Sequence, residues 1–215
     1  MLLNPLLQDA LANSQAQFPD EALEVIKAAD EELRVRRVGR DALKAGDRFP
    51  DILLKDPYGA DVSTRDLSAR GPMVVTFYRG GWCPYCNLEL RAYQAVLNEI
   101  TSLGGQLIAV SPEKPDNSLS TIEKNALAFP VLTDSENRLA KALGIAFELP
   151  TGLQQLFEGF GMNLPELNTD TGWALPVPAT FVVDESGEIV LADVDPDYTR
   201  RLEPEDALTA LRSCI

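Results

Sequence analysis

Cys83 and Cys86 stand three residues apart in the run Phe77-Tyr78-Arg79-Gly80-Gly81-Trp82-Cys83-Pro84-Tyr85-Cys86, where an apolar strand pattern gives way to a helical one. Two thiols at this spacing can pass between a dithiol and a disulfide. Pro84 falls at the first helical position, where a missing N–H costs nothing and the fixed φ is already helical. Cys83 is then the N-cap, facing orphan N–H groups and the positive end of the helix dipole. That setting lowers a thiol pKa below its free value of about 8.5 and supplies a thiolate at neutral pH.

The rest of the composition narrows the chemistry. The chain has no histidine, which removes Ser-His-Asp and Cys-His nucleophile pairs, imidazole acid–base catalysis and most zinc sites. A C-x-x-C can be half of a structural metal site, but Cys214 is the one remaining cysteine, so a four-sulfur site within the chain is excluded. Cys214, one residue from the end, reads as a tail thiol. Three cysteines make no disulfide scaffold, and a cytoplasmic, reducing compartment is expected.

The net charge of −14 argues against a nucleic-acid or anionic-membrane partner, since phosphate binding needs a basic surface. The opening residues lack a basic region, and Asp9 interrupts the first apolar stretch, so no signal peptide is expected. No run is long enough to span a bilayer.

The elements that must position the cysteines follow from hydrophobic periodicity. Residues 1–44 read as an N-terminal helical extension. Leu2, Leu3, Leu6, Leu7, Ala10 and Leu11 repeat at helical spacing, and a second helix from Asp20 puts Ala22, Ile26, Ala29 and Leu33 on one side. Residues 45–215 read as an α/β domain, a central mixed sheet flanked by helices. Strands are expected at Ile52–Leu54, Met73–Tyr78, Gln106–Ser111, Val131–Leu132, Thr180–Asp184 and Glu188–Ala192, the last two joined by a tight turn at Glu185-Ser186-Gly187. The helix after the cysteines should bury Leu88, Ala92, Ala95, Val96 and Leu103 and stop at Gly104-Gly105. Further helices are expected over Asn117–Leu127, Glu136–Leu143 and Pro204–Arg212. Glu148–Leu175, with Phe157, Phe160 and Trp173, reads as an inserted segment fit for a substrate entrance, a subunit contact or core packing.

From about Ala45 to Ala207 the chain resembles peroxiredoxin-like members of the alkyl hydroperoxide reductase and thiol-specific antioxidant family, which have the thioredoxin fold. The resemblance is carried by Gly46-Asp47-Arg48-Phe49-Pro50-Asp51, the Phe77–Cys86 run, Phe129-Pro130-Val131-Leu132-Thr133-Asp134 and Pro178-Ala179-Thr180-Phe181-Val182-Val183-Asp184. It implies a thiol peroxidase with a peroxide substrate, a thioredoxin-like reductant, no cofactor and a homodimeric assembly. A thiol-disulfide oxidoreductase acting on protein disulfides and a non-catalytic redox sensor are the alternatives.

Two departures from the family pattern bear on mechanism. The family places its peroxide-attacking cysteine eight residues after the strand-end tyrosine and a threonine three residues before that cysteine. Counted from Tyr78, that register selects Cys86 and puts Cys83 where the threonine belongs. The family's activating arginine, three residues before the later phenylalanine, is replaced by Pro178. Both replacements look like thioredoxin, in which a cis-proline faces the C-x-x-C pair. Register thus favours Cys86 as nucleophile, whereas helix-end electrostatics and exposure favour Cys83 with Cys86 as its resolving partner; the latter is the expectation taken forward. Arg79, the nearest cation in sequence, could hold the thiolate or polarise a peroxide, and Trp82 could pack beside the cysteines and shield them.

Overall fold

The apolar run Met73–Phe77 is buried at every position and forms an interior strand of the sheet. The computed structural model describes residues 2–215, so Met1 of the extension lies outside it. In chain order the elements are α1 (Leu3–Gln17), α2 (Asp20–Val35), β1 (Leu53–Lys55), β2 (Asp61–Ser63), α3 (Thr64–Ser68), β3 (Met73–Phe77), α4 (Pro84–Ser102), β4 (Gln106–Ser111) and α5 (Pro115–Asn125). There follow β5 (Val131–Thr133), α6 (Arg138–Ala142), β6 (Ala146–Glu148), α7 (Thr151–Gly159), α8 (Leu164–Leu167), β7 (Ala174–Pro176), β8 (Ala179–Val183), β9 (Ile189–Val194) and α9 (Pro204–Arg212).

Seven strands form one mixed sheet in the order β2-β1-β5-β4-β3-β8-β9. β3 runs parallel to β4 and antiparallel to β8, with Phe77 opposite Val110 on one side and Ala179 on the other. β6 and β7 form a separate antiparallel pair.

Because side chains alternate along a strand, the sheet divides its residues between two cores. Val74, Leu107, Ala109, Val131 and Val182 face a layer made by α1, α4 and α9. Met73, Val75, Phe77, Ile108, Val110 and Phe181 face the other side, covered by Leu67 of α3 and by Leu139 and Ala140 of α6. Leu3 and Leu7 of α1 are fully buried in the first core, so the extension packs on the same core as the sheet. Two backbone N–H groups at the start of α1, those of Leu3 and Asn4, donate to the Glu203 carboxylate at 2.8 and 2.7 Å, a cap supplied from the other end of the chain.

All six expected strands are present; Gln106–Ser111 has the expected ends, and the others differ by at most two residues. β2, β6 and β7 lie outside the expected strands: each has only three residues and none is buried throughout, whereas the equally short β5 is buried at every position. The expected helix Glu136–Leu143 is divided. Glu136 and Asn137 adopt positive φ in a 3-10 turn, and α6 starts only at Arg138, where the Asp134 carboxylate accepts from the N–H groups of Leu139 and Ala140.

α4 ends as expected. Gly104 has φ +73°, its N–H donates to Thr101 and that of Gly105 to Ile100, a Schellman cap that needs glycine at the left-handed position. Its buried face differs from the expected one. Cys86, Glu89, Leu90, Tyr93 and Ile100 are buried, whereas Leu88, Ala92 and Val96 are only partly covered. A face that carries a carboxylate and a tyrosine does not stand out by hydrophobicity.

Candidate active site

β3 delivers Tyr78 and Arg79 to the C-terminal edge of the sheet, and Gly80-Gly81-Trp82 turns the chain into α4. The turn is closed by the Cys83 N–H donating to the Gly80 carbonyl at 3.0 Å. Gly80 has φ +153°, and a Cβ there would lie 2.2 Å from Trp82 Nε1, so only glycine lets the indole fold back over the loop. The Gly81 N–H donates to Glu113 Oε2 at 2.9 Å, while Asn87 Nδ2 donates to the carbonyls of Gly81 and Cys83. Cys83 is the N-cap and Pro84 the first helical residue, as the sequence predicts.

Both sulfurs are fully buried and reduced. The expectation that Cys83 is the exposed member of the pair is therefore corrected. Arg79, Trp82 and Tyr198 fold over the loop, with the Arg79 guanidinium carbon 4.2 Å from the Tyr198 ring centre and 5.2 Å from that of Trp82. Trp82 in turn packs edge-on against Phe157 of α7, and Tyr198 against Tyr85.

Arg79, itself buried, donates through Nη2 to Cys83 Sγ at 3.2 Å. A second cation arrives from the loop after β9: Arg201 Nη2 lies 3.6 Å from Cys86 Sγ. Its Nε is 2.7 Å from Glu89 Oε2 in an ion pair whose side chains are 2% and 0% exposed. Neither Arg201 nor Glu89 was singled out in the sequence, since the arginine stands more than a hundred residues from the cysteines and the glutamate reads as a polar position on α4.

These charges split the two thiols. Burial opposes ionisation of Cys83, but a hydrogen bond from the Cys86 thiol and the charges of Arg79 and Arg201 outweigh it and hold Cys83 well below the usual thiol range. Cys86 is pushed well above that range by burial and by the adjacent Cys83 thiolate. Burial also raises Glu89 to about 7, against the opposing pull of Arg201.

Pro178 immediately precedes Ala179, the partner of Phe77, and so sits at the same sheet edge as the Tyr78-Arg79 segment. The described residues contain no cis peptide bond. The cis-proline expectation is thus corrected: β7 runs through Val177, whose N–H donates to Ile145 at 2.8 Å, directly into β8. In such an extended path the trans X-Pro bond, favoured by about 0.5–1 kcal/mol, is retained.

Residues 45–192 match the AhpC/TSA family. The chain belongs to that family. Among family relatives, a Mycobacterium tuberculosis protein provisionally named a peroxiredoxin is 29% identical over 150 residues, spanning 70% of this chain and 84% of the relative. The thiol-disulfide oxidoreductase ResA of Halalkalibacterium halodurans is 24% identical over 152 residues, 70% of this chain and 69% of ResA. The crystal structure of peroxidoxin BcpB from Mycobacterium tuberculosis superposes with a TM-score of 0.62 at 20% identity, covering 80% of this chain and 97% of BcpB. Family membership and this likeness establish the thioredoxin fold and a peroxiredoxin-like oxidoreductase. α1 and α2 lie before the residues that match the family.

Proposed function

We propose that the protein is a thiol peroxidase in which Cys83 is the nucleophile and Cys86 the resolving cysteine. The observation that carries this reading is the buried Arg79 guanidinium 3.2 Å from Cys83 Sγ, which favours a thiolate on Cys83, while burial and that thiolate push the adjacent Cys86 up. Two buried donors beside Cys83, Arg79 Nε and Trp82 Nε1, have no hydrogen-bond partner among the described residues. They suit the oxygens of a hydroperoxide, since a buried donor is rarely left unpaired in the working state.

In this mechanism the Cys83 thiolate attacks the terminal peroxide oxygen, Arg79 stabilises the charge passing to the leaving oxygen, and a Cys83 sulfenic acid forms. Cys86 then condenses with it, giving the disulfide and water. A dithiol reductant of thioredoxin type, in a cytoplasmic reducing compartment, restores the pair by exchange.

Thiol-disulfide exchange with protein substrates is the second reading, favoured by the C-x-x-C spacing at a helix N-terminus. Full burial of the reduced sulfurs supports the peroxidase reading for the oxidising step, because a peroxide needs little room; re-reduction by a protein dithiol requires the loop over the disulfide to open. The deciding measurement is the rate at which reduced protein loses thiol in excess hydrogen peroxide, relative to a small thiol at matched thiolate concentration. A rate orders of magnitude above the reference, with turnover on adding reduced thioredoxin, is expected. A rate equal to the reference would leave an exchanger or a sensor.

A further inference from the structure

Arg201 reaches Cys86 from the irregular segment that joins β9 to α9. Inside that segment the hydrogen bonds are local. Asp195 Oδ1 accepts from the Asp197 N–H, Asp197 Oδ1 accepts from the Thr199 N–H, and Arg201 Nη1 donates to the carbonyls of Tyr198 and Arg200. Turns of this kind fix the shape of a segment but not its place on the fold.

Ties to two helices set that place. On α4, Arg201 Nε pairs with Glu89 at 2.7 Å. On α1, Asn4 Nδ2 donates to the Arg201 carbonyl at 3.2 Å and to Glu203 Oε1 at 2.8 Å. The same carboxylate accepts from the N–H groups of Leu3 and Asn4, which are charge-assisted bonds and stronger than neutral ones. Leu3 and Leu7 anchor α1 in the core that contains both cysteines. Asn4, Arg201 and Glu203 all lie outside residues 45–192, on opposite sides of the family match.

The chemistry gives this support a use. The charged and titratable groups around Cys86 are Cys83 and Arg79 on the loop, Tyr78 at the end of β3, Glu89 on its own helix and Arg201. In the reduced protein burial and the Cys83 thiolate push Cys86 up, against the pull of Arg201 and Arg79. Once Cys83 is a sulfenic acid its negative charge is gone, and the two arginines oppose burial alone. Arg201 is then the cation 3.6 Å from Cys86 Sγ, and its pull weakens with distance, so its placement matters.

We propose that Asn4 and Glu203 are positioning residues for the resolving step, through which α1 holds the Arg201 guanidinium against Cys86 Sγ; this rests on the peroxidase reading above. In that step the Cys86 thiolate attacks the sulfur of the Cys83 sulfenic acid. The S–S bond forms, the S–O bond breaks, and the departing hydroxide takes up the proton that Cys86 released, giving water. The sulfenic acid supplies the oxidising equivalent.

The test is the lifetime of the sulfenic acid in the full-length protein, read across pH by quenching with dimedone at intervals after one equivalent of hydrogen peroxide. An opposite charge at close range shifts a pKa by about one to three units. A partial retreat of Arg201 in Asn4→Ala or Glu203→Ala should therefore lengthen the lifetime at neutral pH by about threefold to tenfold, with the pH midpoint of resolution moved upward. Glu203→Asp, which keeps the carboxylate, should show a smaller change. In the background Arg201→Met, Glu89→Gln, which strands no charge, Asn4→Ala should have no further effect. The ultraviolet thiolate absorbance of Cys86 in Cys83→Ser should titrate at higher pH when Asn4→Ala is added. Unmoved midpoints beside a lowered melting temperature, or an equal effect of Asn4→Ala without Arg201, overturn the positioning role and leave the peroxidase standing. Loss of wild-type thiol no faster than a small thiol in hydrogen peroxide overturns the peroxidase reading and this step with it.

Discussion

Arg79 donates to Cys83 Sγ across 3.2 Å from a position four residues earlier in the chain, so the cation that holds the thiolate is carried by the same loop as the sulfur. The family pattern expects an arginine at position 178, and there the chain has proline. Arg79→Met should raise the Cys83 pKa and move the pH profile of its alkylation by iodoacetamide toward that of a free thiol near 8.5. At neutral pH the rate falls by about tenfold for each unit by which the pKa exceeds the working pH. Arg79→Lys, which keeps the charge and loses the fork, should fall between the two. An unchanged profile in Arg79→Met would remove Arg79 from the site.

The order of the cysteines is tested by trapping the first oxidation product. Cys86→Ser should accumulate a sulfenic acid on Cys83 when treated with one equivalent of hydrogen peroxide, detected by mass spectrometry after dimedone labelling. Cys83→Ser should yield no labelled product on that timescale, because burial, the largest cause that raises Cys86, persists in the variant. The reverse pattern assigns the attack to Cys86 and vindicates the family register.

Arg201 and Glu89 form a pair with almost no solvent contact, so removing one partner strands a buried charge. Arg201→Met should cost about 3–5 kcal/mol in denaturant unfolding, and the double variant Arg201→Met, Glu89→Gln should recover much of it. A double variant as unstable as the single one would show that the arginine acts through packing rather than charge.

Stability should also carry a pH signature from Glu89, which titrates near 7 when folded against 4.5 for a free glutamate. The native state keeps this proton where the unfolded chain has lost it. The contribution is therefore fully present below 4.5, shrinks as pH rises and is gone above about 7. Chemical unfolding of the wild type and Glu89→Gln across that window should show the wild type losing ground as pH increases. Parallel curves would mean that Arg201 keeps the carboxylate ionised throughout.

Gly80→Ala would place a Cβ against the Trp82 indole in a backbone conformation that L-residues avoid. A cost on the order of 1–3 kcal/mol is expected, with an altered tryptophan emission spectrum as Trp82 is displaced. Loss of stability without a spectral change would place the strain elsewhere in the loop.

The sequence revealed the parts of the site that lie close together in the chain. Cys83 at the N-cap, Pro84 behind it, Arg79 beside it and the Gly104-Gly105 stop all follow from local rules and are present. What escaped it depends on tertiary proximity. Arg201 looks like one charge in an acidic loop, and only the closed sheet brings it to Cys86. Glu89 and Tyr93 hide the buried face of α4, because hydrophobic periodicity counts them as solvent positions. The burial of Cys83 escaped for the same reason: Tyr198, far along the chain, completes the cover over the loop.

Arg79 and Arg201 have a thiolate to neutralise them only while the cysteines are reduced. When the sulfur–sulfur bond forms, that negative charge disappears and both guanidinium groups stay buried, Arg79 without its anion. The fold thus stabilises the dithiol more than the disulfide, which raises the reduction potential of the pair. The arrangement that makes Cys83 quick to give electrons to an oxidant also makes the oxidised protein quick to take them back.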